Sequence, residues 1–179
     1  MANRSYLYTC DELPGGEGFY ARGLSEYNWD IPLVHKLMIA NESRVVRSAI
    51  WDRDIGIVAN RAGAFERVIR FFDKVGEGAL EDREQFDQAL RHAKEFLSTT
   101  PDTKYLLLEA GEIYDLQGGD LTAEAQLVCT EAARLGARAD RALAGTEAEW
   151  LDELRAGWQE QCHPGWWSQV LYFSFKQPA

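Results

Sequence analysis

Little in this chain of 179 residues is of the kinds that announce a function. Cysteine occurs three times, at Cys10, Cys129 and Cys162. An odd number at such wide spacing argues against a disulfide framework. No C-x-x-C pair offers half of a zinc site. Lys and Arg total 19 against 29 Asp and Glu, a net charge of −10. Strong binding to duplex DNA or RNA needs clustered bases to neutralise phosphates, so nucleic acid is not an expected partner. The opening MANRSYLYTCDEL has no apolar run of the ~7–15 residues a secretion signal requires. No later stretch approaches the ~18 apolar residues of a membrane span. A soluble cytoplasmic protein with reduced thiols and no membrane association is expected.

Catalytic signatures are missing too. Neither G-x-x-x-x-G-K-[ST] nor a G-x-G-x-x-G opening a helix occurs, so Gly15-Gly16-Glu17-Gly18 reads as a loop tip rather than a phosphate cradle. No G-x-S-x-G marks a hydrolase elbow. Cys162-His163 sets a nucleophile beside a base, but sequence neighbours rarely point at one another, and Cys enzymes take their His from elsewhere in the fold. No metal and no cofactor is expected.

The chain nonetheless has the material of a folded domain. It is 46% hydrophobic and 12% aromatic, well above a disordered composition. One domain spanning 1–179 buries roughly 70% of its unfolded surface without metal or disulfides. The charge is uneven. Residues 1–40 carry five acids and three bases, residues 41–74 five and seven, and residues 75–179 nineteen and nine. Between Lys104 and Arg134 stand six acids and no base: Glu109, Glu112, Asp115, Asp120, Glu124 and Glu131. Such a run makes either an acidic face that steers basic partners or a solvated helix surface that keeps the protein soluble.

Alternation around Tyr6 and Tyr8 predicts a strand over Asn3–Cys10, a Gly-rich turn, and a short second strand over Phe19–Arg22. Residues 23–30 read as a loop, with Asp30 capping a short helix whose apolar face is Leu33, Val34, Leu37 and Met38; His35 and Lys36 fall off that face. Val45–Trp51 and Ile55–Ala59 read as a hairpin turning at residues 52–54. Phe65, Val68, Ile69, Phe72 and Val75, then Phe86, Leu90, Ala93 and Leu97, recur at helical spacing. Tyr105–Leu116 fits a strand or a helix, with helix favoured by Glu109, Ala110 and Glu112. Asp120 caps a helix striped by Leu121, Ala125, Val128, Ala132 and Leu135. Thr146 and Glu149 match a capping box ahead of Trp150, Leu151, Leu154 and Trp158. The alternating aromatic run Trp166–Phe175 predicts a closing strand, with Trp166 and Trp167 facing opposite ways. The expected architecture is α+β: a small antiparallel sheet made of an N-terminal hairpin, a central hairpin and a C-terminal strand, covered by about five helices.

The segments MANRSYLY, GLSEYNWDIPL and LLLEAGEIYDL resemble a family of small uncharacterised bacterial proteins that open with nearly the same eight residues. The resemblance implies a bacterial cytoplasmic protein and assigns no catalytic residue.

Two readings follow. The first is a non-enzymatic interaction module whose acids at residues 109–131 meet a basic protein, as an immunity protein meets a nuclease toxin. The second is a small enzyme or ligand-binding protein with a pocket near the Gly-rich hairpin. The candidate binding residues are Glu26, Trp29, Asp30, His35, Glu109, Glu112 and Asp115. Glu109 and Glu112, with Asp115 beyond them, are spaced to share one side of a helix, where paired carboxylates hold a proton or a cation. Monomer and homo-oligomer are both compatible with the aromatic content.

Overall fold

A computed structural model describes residues 3–162 and 166–175. Five strands form one antiparallel sheet: β1 (Arg4–Cys10), β2 (Ala21–Asn28), β3 (Arg44–Val46), β4 (Gly56–Asn60) and β5 (Tyr105–Glu109), in the order β2-β1-β5-β4-β3. Among the described residues seven helices accompany it: α1 (Leu33–Met38), α2 (Ala64–Gly76), α3 (Arg83–Thr99), α4 (Gly111–Gln117), α5 (Leu121–Leu143), α6 (Ala148–Ala156) and α7 (Trp158–Gln161). The fold is α+β, as the patterning predicts.

The helical periods hold where they are longest. Val68, Phe72 and Val75 of α2, and all four predicted residues of α3, are buried. So are Trp150, Leu151, Leu154 and Trp158. Helix α5 turns a stripe of small residues inward, Ala125, Ala132, Gly136, Ala139 and Ala142. Its larger Leu121, Val128 and Leu135 are only half-buried. Asp120 caps α5 as expected, its carboxylate accepting from the Thr122 and Ala123 N–H groups.

Four expectations are corrected. The second strand runs over Ala21–Asn28, through the residues read as a loop. Gly23, Ser25, Glu26 and Asn28 have weak strand propensity, but the full length of β1 is there to pair with them. Leu7 faces Ser25 and Tyr8 faces Gly23, so Leu24 is the extra residue of a bulge. The ambiguous run is a strand followed by a helix. Leu106, Leu107 and Leu108 are all buried because β5 is the central strand, covered on both sides. The central hairpin closes through the long loop 47–55 rather than a tight turn.

The fourth correction concerns the C-terminus. Residues 166–175 form no strand. Trp167 is buried in the helix-side core against Phe96 of α3. From Val170 on the chain alternates, with Leu171 buried, Phe173 and Phe175 half-buried, and Val170 and Tyr172 exposed, because this part lies across the sheet as a strap rather than in a ladder. Phe173 meets Tyr6 edge-on at 5.4 Å, and Phe175 meets Tyr8 at 5.2 Å. Gly23 lets the strap pass: a Cβ there would stand 2.7 Å from the Gln169 carbonyl and the Leu171 side chain.

Two caps also differ. Pro32 occupies the cap position of α1, while the Asp30 carboxylate binds the Ile31 N–H at 2.7 Å. Thr146 donates to the Arg141 carbonyl, and Glu147 stands at the start of α6. The Glu147 carboxylate takes the Arg138 and Arg141 guanidinium groups, both at 2.8 Å. Those charge-assisted bonds displace the predicted box.

Candidate functional site

The two faces of the sheet receive different cover. Leu7, Leu106, Leu108, Ile57 and Ala59 join the helices in one large core. The opposite face carries Tyr6, Tyr8, Cys10 and Leu107 under the strap and loop 47–50. Register places Glu26, Tyr6 and Glu109 side by side on that second face, across β2, β1 and β5.

A cavity of about 390 Å³ opens at this end of the sheet, lined by Arg4, Tyr6, Trp51, Glu112, Asp115 and Tyr172 among others. Glu112 and Asp115 come from successive positions of one face of α4, three residues apart. The Glu112 carboxylate accepts the Arg4 backbone N–H at 2.8 Å and the Tyr6 hydroxyl at 3.3 Å. Burial, and then the charge of Glu112, push the Tyr6 phenol up to about 12, so it stays a donor. Trp51 reaches the cavity across Gly111: a Cβ at that glycine would lie 2.6 Å from the indole Nε1. The Arg4 guanidinium lies 4.8 Å from the centre of the Tyr172 ring and donates to the Asn28 side chain at 2.9 Å.

Two further candidate carboxylates hold the cavity walls. Glu26 accepts the Tyr172 backbone N–H at 2.8 Å and so anchors the strap. Glu109, 1% exposed, accepts the Ser48 hydroxyl at 2.6 Å and the Ala49 N–H at 2.7 Å. Ser48 in turn accepts from the Ile50 and Trp51 N–H groups. Its two lone pairs are thereby filled and its proton is directed at Glu109, a network built for an ionised carboxylate. Desolvation opposes that charge and prevails, raising the Glu109 pKa to about 7. Glu109 therefore does not share a helix face with Glu112; it fastens the loop that carries Trp51.

The remaining candidates lie elsewhere. His35, expected off the apolar face of α1, is fully buried among β1 and β2. Ser5 spends its proton on the Asp30 carbonyl, at 2.8 Å. His35 Nδ1, 3.2 Å from that hydroxyl, is then the donor. Nε2 lies within hydrogen-bonding distance of the Ser25 hydroxyl, at 2.9 Å. Ser5 and Ser25 are also buried, so no substrate reaches this triplet. Trp29 is 60% exposed, outside the cavity. Asp30 borders a separate groove with Lys36 and Glu131, which pair at 3.1 Å.

A hollow of about 210 Å³ does lie beside the Gly-rich turn, lined by Cys10, Asp11, Gly18, Tyr20 and Asp102, and none of the seven candidates lines it. Cys162 is buried, and burial alone pushes its thiol up to about 12, the reverse of nucleophile activation. His163 lies outside the described residues. Cys10 and Cys162 belong to cores on opposite faces of the sheet. Among the described residues no group of three or more His, Cys, Asp or Glu side chains could hold a metal ion.

Sequence reasoning missed Arg4, Tyr6, Trp51 and Tyr172 as a group. They come from β1, a loop and the strap, and only the strand register and the strap's path bring them together.

The chain belongs to the family described as Domain of unknown function (DUF7822), which matches residues 11–149. No curated protein matches it, and no solved structure does. No helix among the described residues is long and apolar enough to cross a membrane.

Proposed function

We propose that this protein is a non-enzymatic interaction module that binds a basic protein through the cavity end of its sheet. One observation carries the reading. Four of the seven candidate carboxylates and rings serve a single concavity: Glu112 and Asp115 line it, and Glu26 and Glu109 fasten its walls. Neither Glu112 nor Asp115 forms an ion pair among the described residues, whereas Glu131 and Glu147 are both paired. Exposed Tyr172 in the cavity lining supplies apolar contact area for a partner. The histidine named for the enzyme alternative is not at the cavity: the buried His35 sits on the other side of the sheet, sealed by its serines. In the bacterial cytoplasm that the family resemblance implies, an immunity-like role toward a basic toxin fits this chemistry.

The test is capture of partners from the native host at about 50 mM and 500 mM salt, where screening lengths differ severalfold. A basic protein retained at low salt, released at high salt and lost in a Glu112→Gln/Asp115→Asn variant is expected. Absence of any salt-sensitive partner sinks the reading.

A further inference from the structure

We propose that the cavity between Trp51 and Tyr172 is a receptor for one guanidinium group, an arginine side chain of the basic partner. The inference rests on the binding reading above and names the site and its ligand chemistry. The cavity, about 390 Å³, is at the small end of ligand pockets, which run from about 300 to 1,000 Å³. It admits one side chain rather than a polymer segment. Its two carboxylates disfavour an anion. A purely apolar guest would strip water from Glu112 and Asp115 without replacing their hydrogen bonds. Among the described residues a metal ion finds no third acidic, His or Cys ligand here.

A planar cation suits the two carboxylates and the aromatic walls together, leaving Arg4 as the wall it does not pair with. Guanidinium groups pair with carboxylates through a fork of N–H donors and stack on aromatic faces. The protein already shows half of this chemistry, because the Arg4 guanidinium lies against the Tyr172 ring. Arg4 is held there by Asn28. The cavity keeps a net charge of −1 after Arg4 is counted against Glu112 and Asp115. The carboxylates are also aimed from a fixed frame: Glu112 is bound by the Arg4 N–H and the Tyr6 hydroxyl, and Trp51 is seated on Gly111.

The experiment is a titration of the full-length ¹⁵N-labelled chain, following the Trp51 indole N–H, with N-acetylarginine amide. N-acetylcitrulline amide serves as the neutral probe of the same shape. Saturable shifts with the arginine probe and at least tenfold weaker binding of the citrulline probe are expected. Asp115→Asn weakens arginine binding about threefold, in line with a partly exposed ion pair. Tyr172→Leu, at a side chain 67% exposed, weakens it by a similar factor, with thermal unfolding of the variant measured alongside to show that it folds. Equal binding of the two probes, no saturable shift, or indifference to Asp115→Asn overturns the proposal. Because no partner protein enters this assay, its failure is separate from failure of the salt-sensitive capture, which then points to another surface.

Discussion

The two faces of the sheet are held by different physics. On one, β-strand side chains and several helices share a continuous apolar core whose buried polar cluster, His35 with Ser5 and Ser25, is closed off. On the other, a strap without ladder hydrogen bonds covers a row of tyrosines. Among the described residues its hydrogen bonds to the sheet are separate ones, Ser168 N–H to the Leu24 carbonyl, Tyr172 N–H to Glu26, and Tyr8 hydroxyl to the Phe173 carbonyl, while Trp167 at its start is anchored in the helical core. Many mutually supporting contacts make a face that opens only with global unfolding. A few separate bonds make one that opens locally. The helical face therefore sets stability, and the strap face is where charge and aromatic surface meet solvent.

The sharpest way to break this comparison is to remove one phenylalanine from each face. Phe72 is fully buried in the helical core, and Phe72→Ala is expected to cost about 3–5 kcal/mol of global stability. Phe173 is half-buried under the strap, and Phe173→Ala is expected to cost about 1 kcal/mol. Denaturant unfolding of both variants measures the difference. Equal losses would mean that the strap is part of the cooperative core.

A second prediction uses the titratable group on the strap face. Glu109 has a folded pKa of about 7 against an ordinary 4.5. The folded state therefore binds the proton more tightly. Its stabilising contribution is complete below pH 4.5 and is lost as pH rises through 7, by on the order of 3 kcal/mol. Glu109→Gln should flatten stability against pH over that window. It should also blunt any pH-dependent shift of the Trp51 indole, since Glu109 fastens the Trp51 loop through Ser48. An unchanged profile in the variant would assign the slope to other groups.

The same contrast explains what was legible in the sequence. The helical face was read well, because α2 and α3 each bury one side and a 3.6-residue period survives. Glu112 and Asp115 were legible as a pair for the same reason. The strap face was misread. Residues 170–175 alternate like a strand because one side of them packs on the sheet, yet no ladder forms, and Trp167 ahead of them is buried in the other core. Local pattern reports which side is buried and not what buries it. Glu109 was placed beside Glu112 on a helix because propensity outweighed three leucines. Central position, buried on both faces, explains those leucines, and central position is a property of sheet order rather than of the segment. His35 falls off the apolar face of its short helix, and that pattern gives no hint that two serines from neighbouring strands will supply its hydrogen bonds in the interior.

The smallest effect is the most discriminating. The Tyr8 hydroxyl, on a buried ring, makes one bond, to the Phe173 carbonyl at 2.8 Å. Tyr8→Phe keeps the ring and its 5.2 Å contact with Phe175 and deletes only that tie. A neutral hydrogen bond contributes about 0.5–1.5 kcal/mol. Here the cost falls at the low end, because the freed carbonyl belongs to a half-exposed residue that water can reach. Global stability should therefore hardly move. Hydrogen exchange at the Tyr172 amide, which donates to Glu26, should quicken several-fold, while exchange in α2 and β5 stays as it was. If α2 and β5 quicken in step with the strap, the two faces open together and the division between them fails. If only the strap quickens, loosening it also unseats Tyr172 from the cavity wall, and binding of the arginine probe should weaken alongside without any loss of charge.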